Sequence, residues 1–79
     1  MTKPDPFAIL EYPHEIARAE RAGEIAWSYV EGGIPVVEQE RQRIRMAYVV
    51  VSLAIERADE PTDLAHRAIR RFHERQLRR

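Results

Sequence analysis

Residues 46–55 (MAYVVVSLAI) hold one polar side chain, Ser52. They lie inside a longer stretch with helical spacing, and on a helix they make two apolar stripes on opposite sides. Val37, Ile44, Ala47, Tyr48, Val51, Ala54, Ile55 and Ala58 form the longer stripe. Met46, Val49, Val50 and Leu53 form the shorter one at i, i+3, i+4, i+7. A soluble helix needs only one apolar face. A second must be covered by another surface, from this chain or from a partner.

The alternative to a helix here is a strand, because YVVVSL is rich in β-formers. A strand needs a partner strand, and residues 34–37 are the only other β-like stretch. Flanks of Glu, Gln, Arg and Ala favour the helix.

Five prolines divide the rest of the chain, and none interrupts a periodic segment. Proline suits the first turn of a helix and breaks its interior. Asp5 before Pro6 reads as an N-cap opening a short helical turn over 7–12. A first full helix is expected over about 13–31, with Gly32 and Gly33 as a left-handed C-cap. A long second helix is expected over about 35–59 and a third over 61–77. The first presents many small residues, among them Ala19, Ala22, Gly23 and Ala26, so another helix can approach it closely. The third carries Leu64, Ala65, Ala68, Ile69 and Phe72 on one side. The expected fold is therefore all-α: a single domain over 1–79, with a flexible segment over 1–5 and a frayed end at 78–79.

Seventy-nine residues bury only roughly 60% of the unfolded chain's surface. Small domains compensate with disulfides, a metal or oligomerisation. Cysteine is absent, which removes disulfides and thiolate ligands. The size argument and the second apolar face together predict a homodimeric helical bundle. The longer stripe is assigned to the core. Met46, Val49, Val50 and Leu53, with Trp27 at the edge of the first helix's apolar arc, are assigned to the dimer or partner interface.

Formal net charge is zero, so no global field draws the chain to nucleic acid or membrane. The distribution is uneven. Residues 61–79 hold six arginines against Asp63 and Glu74. Arg67, Arg71, Arg75 and Arg78 fall along one ridge of the third helix, with Arg70 beside it. This ridge is either a strip for an acidic partner or nucleic-acid phosphate, or a face that is solvated or turned to Glu20, Glu24 and Glu31 of the first helix. No aromatic residue is interleaved with it on the exposed side, so bases have no stacking platform there.

No signal-peptide pattern opens the sequence, and the apolar run is half the length of a membrane helix, so a cytoplasmic protein without a membrane span is expected. No cofactor, metal site or catalytic constellation is expected. His66 and His73 stand two turns apart with Arg70 between them, a poor pair for a cation. Ser28 and Ser52 have no base in pattern with them, and no phosphate-cradling glycine loop is present. The expected function is a small non-enzymatic interaction module that covers a partner surface, in the style of phage or plasmid inhibitors and accessory regulators. A small nucleic-acid-binding regulator using the arginine-rich helix is the alternative, and a subunit of an enzyme is the third reading.

Overall fold

The computed structural model describes residues 5–77, with side chains as far as Glu74. It is all-α. A 3₁₀ turn, Pro6–Ile9, precedes α1 (Pro13–Val30), α2 (Gln39–Glu56) and α3 (Pro61–Leu77). Asp5 caps the first turn, its Oδ1 accepting the Phe7 N–H at 3.2 Å. Pro13 stands at the start of α1 and Pro61 at the start of α3, as the proline positions predict.

The end of α1 departs from expectation. Neither Gly32 nor Gly33 has a positive φ. The helix tightens into a 3₁₀ turn, Glu31–Gly33, closed by the Ile34 N–H on the Glu31 carbonyl at 3.1 Å. The chain then leaves in an extended conformation at Ile34, so no left-handed residue is required. The Gln39 side-chain amide donates to the carbonyls of Ile34 (3.1 Å) and Glu31 (3.4 Å). The first residue of α2 thus satisfies groups that the end of α1 leaves open.

The second helix is shorter than its sequence pattern suggests. Residues Val36–Glu38 form a separate 3₁₀ turn, and Arg57 is fully extended at φ −165°, ψ 159°. The eighteen residues of α2 span about 27 Å rather than about 37 Å. An electrostatic corner ends the helix. Asp59 accepts from Arg67 of α3 at 2.6 Å and pairs with Arg57 at 3.2 Å. Residues 57–60 are held out of helical register to make these contacts.

The three helices pack pairwise into a bundle, and the N-terminal turn packs on α2. Ala19, Ala22 and Ala26 of α1 and Ala65 and Ala68 of α3 are completely buried. They bring α1 and α3 close together, which explains the run of small residues on α1. Phe72, Leu64, Met46, Leu53 and Val50 supply the bulk of the core.

The roles of the two α2 stripes are exchanged relative to the sequence expectation. Met46, Val49, Val50 and Leu53 face the centre of the bundle, with Leu53 only 1% exposed. On the longer stripe Val37 is 92%, Ile55 62% and Tyr48 43% exposed. Val51 of that stripe is buried and Ala47 and Ala54 half-buried. Ala47 shares a cleft with Phe7 of the N-terminal turn, so this turn covers part of the outer side of α2. The second apolar face is thus partly covered from within the chain and partly open.

Candidate interaction surfaces

The residues assigned to a partner interface do not reach the surface. Met46, Val49, Val50 and Leu53 are filled by α1 and α3, and Trp27 is buried beside them. The shorter stripe is therefore not left over for a partner: its four residues already pack inside the fold. Trp27 lines a cleft of about 340 Å³ between the N-terminal turn, α1 and α2. Phe7, Met46, Ala47 and Gly23 also line it, with Glu20, Glu24 and Arg43.

The open apolar surface follows the outer line of α2. Arg41, Ile44, Tyr48, Ser52 and Ile55 recur at helical spacing along it, and Val37 stands exposed on the 3₁₀ turn just before it. Val36 adds a second exposed valine at its N-terminal end, 82% accessible. Periodicity shows this stripe, and the expectation places it in the core, where the structure does not put Tyr48 and Ile55. A signal against that reading is present in the sequence. Arg41 and Ser52 interrupt the outer stripe, whereas nothing polar stands on the inner stripe between Met46 and Leu53.

The arginine ridge divides into members with different tasks. Arg67 is half-buried and bridges Asp59 at 2.6 Å and Glu56 at 3.2 Å. Its guanidinium, more than that of Arg57, holds the Asp59 carboxyl below its ordinary pKa, against an opposing contribution from burial. Arg67 is therefore committed to the α2–α3 corner. It does not pair with the acidic residues of α1, and among the described residues Glu74 forms no ion pair with Arg70. Arg70 is exposed. Arg71 is half-buried and, among the described residues, has no hydrogen bond or ion pair. The Arg75 side chain and all of Arg78 lie outside what the structure describes.

Arg71 lines two adjoining grooves between α2 and α3. One is shared with Arg45, Tyr48, Val49 and Ser52. The other is shared with Leu53, Arg67, Arg70 and Glu74. Arg45, absent from the sequence expectation, is anchored there by the Phe72 carbonyl at 2.9 Å and Gln42 at 2.8 Å.

No protein-family model, curated protein or solved structure matches this chain. What the surface can do must therefore be read from its own chemistry. Among the described residues no group of three His, Cys, Asp or Glu side chains is placed to hold a metal ion. No described helix is long and apolar enough to cross a membrane.

Proposed function

We propose that the protein is a small interaction module that works by covering the surface of a partner macromolecule. Its working surface is the outer face of α2, and it acts in the cytoplasm as an inhibitor or accessory regulator rather than as an enzyme. The observation that carries this reading is the open strip of Tyr48 and Ile55, continued at its N-terminal end by Val36 and Val37. These side chains stand on or just before a helix whose other face already fills the core, so the fold does not need them. Contiguous apolar surface that the fold does not need marks an interaction site. Tyr48 is suited to such a surface, with an apolar ring and a hydroxyl that bonds to water or partner.

Nucleic-acid binding through α3 has weaker support, because Arg67 is neutralised by Asp59 and Glu56. Photo-crosslinking in the cells that express the protein tests the choice of surface. A benzophenone side chain at Tyr48 gives a discrete protein adduct. The same group at Tyr29, on the α1–α3 side with His66 and Ile69, does not. Adducts at Tyr29 alone, or none at Tyr48, contradict the assignment.

A further inference from the structure

We infer that the outer face of α2 receives an acidic amphipathic helix of a partner protein, with its apolar side chains on Tyr48 and Ile55 and its carboxylates on Arg71 and Arg41. This rests on the interaction reading above and specifies the chemistry of the partner. The strip from Arg41 to Ile55 runs about 21 Å along one side of α2, long enough to accept one face of a helix.

Charge selects the occupant. Arg71 sits half-buried at the edge of the strip with its guanidinium unpaired among the described residues. Burial has removed part of its water and supplied no acceptor in return. A carboxylate arriving in the groove meets a planar donor suited to bidentate pairing. Arg41, at the other end, has a side chain 78% exposed and only a loose 3.7 Å contact with Glu38. Such surface pairs are weak and exchange readily for a better acceptor. Arg45 adds a third positive charge beside Tyr48. Glu74 is the one carboxylate among the described residues lining the two α2–α3 grooves.

A second copy of this chain fits the face less well. Parallel twofold pairing of the α2 strips sets Arg41 against its own counterpart. Antiparallel pairing centred on Tyr48 brings both α3 flanks, each with its Arg71, to the same side of the seam. Like charges meet in either case. Nucleic acid answers the arginines but gives Ile44 and Ile55 no counterpart.

Two synthetic amphipathic helices with identical leucine spacing, one flanked by glutamates and one by lysines, test the inference against the intact protein. Binding is read by fluorescence anisotropy at low ionic strength, with a single-stranded oligonucleotide as a third probe. The glutamate peptide is expected to bind at least about tenfold more tightly than the lysine peptide. Arg71→Glu and the milder Arg71→Gln should shrink that preference while their circular dichroism melts stay close to wild type. Equal affinity for the two peptides overturns the inference. So does tighter binding of the oligonucleotide, or a dimer in sedimentation that Tyr48→Asp dissolves. A partner that crosslinks at Tyr48 but is indifferent to Arg71→Glu also overturns it, and leaves the broader interaction reading standing. Absence of any crosslink at Tyr48 removes the broader reading itself.

Discussion

The guanidinium of Arg45 lies over the ring of Phe72, its Cζ 4.1 Å from the ring centroid, while its Nη2 donates to the Phe72 carbonyl at 2.9 Å. One side chain of α2 thus grips both the side chain and the backbone of a single residue of α3. Phe72 is among the largest fully buried side chains, so the clamp joins α2 to α3 where α3 inserts a large side chain into the core. Its cation–π contact is worth about 0.5–2 kcal/mol and its charge-assisted hydrogen bond about 1.5–3 kcal/mol.

Replacing Arg45 therefore separates geometry from charge. Arg45→Met keeps the apolar stem, loses both contacts and the bond to Gln42, and should lower stability by about 2–5 kcal/mol in urea unfolding. Arg45→Lys retains a cation near the ring but not the planar fork, and should recover less than half of that loss. Equal stability of Arg45→Met and wild type would mean that the clamp forms without holding the helices together.

The corner at Asp59 makes a pH-dependent prediction. Arg67, then Arg57, hold the folded-state carboxyl below its ordinary range. A depressed carboxylate stabilises the fold above its unfolded-state pKa, about 3.9, and this contribution is lost as pH falls through the lower folded value. The stability difference between wild type and Asp59→Asn should be constant near neutral pH and shrink below about pH 4. Denaturant titrations over an acid-to-neutral series measure it. A difference that grows on acidification would contradict the pairing.

Gly32 and Gly33 offer a stabilising change. A Cβ at either position meets nothing within 4 Å, and neither glycine has a positive φ. Alanine at these positions restricts the unfolded chain without straining the folded one. Each substitution should raise stability by about 0.4–1 kcal/mol, read as a higher thermal midpoint. A left-handed cap of the kind the Gly-Gly pair suggests would give the opposite sign.

Much of the fold can be read from single residues. Pro13 and Pro61 mark the starts of α1 and α3, Asp5 before Pro6 marks the first capped turn, and the alanines of α1 announce a close neighbour. Each of these signals is local. The corner formed by Arg57, Asp59 and Arg67 is not, because it joins residues across a turn where helical periodicity has no meaning. This corner ends α2 at Glu56. The interaction surface is legible only by half. Periodicity shows that α2 has two apolar sides, but which one turns inward depends on volumes contributed by α1, α3 and the N-terminal turn. The longer stripe has more apolar residues. Its interruption by Arg41 and Ser52, and the unbroken character of Met46, Val49, Val50 and Leu53, point the other way.

That division of α2 into an inner face for folding and an outer face for binding is tested most directly by comparing Leu53→Ala with Ile55→Ala in equilibrium unfolding. These two residues are close in sequence and similar in volume, but Leu53 is 1% and Ile55 62% exposed. Leu53→Ala should cost about 2–5 kcal/mol, the range for truncating a buried aliphatic side chain. Ile55→Ala should change stability by no more than about 0.5 kcal/mol. The reverse order, with Ile55 costly and Leu53 nearly silent, would place the core on the other stripe and contradict both the packing and the surface proposed for the partner.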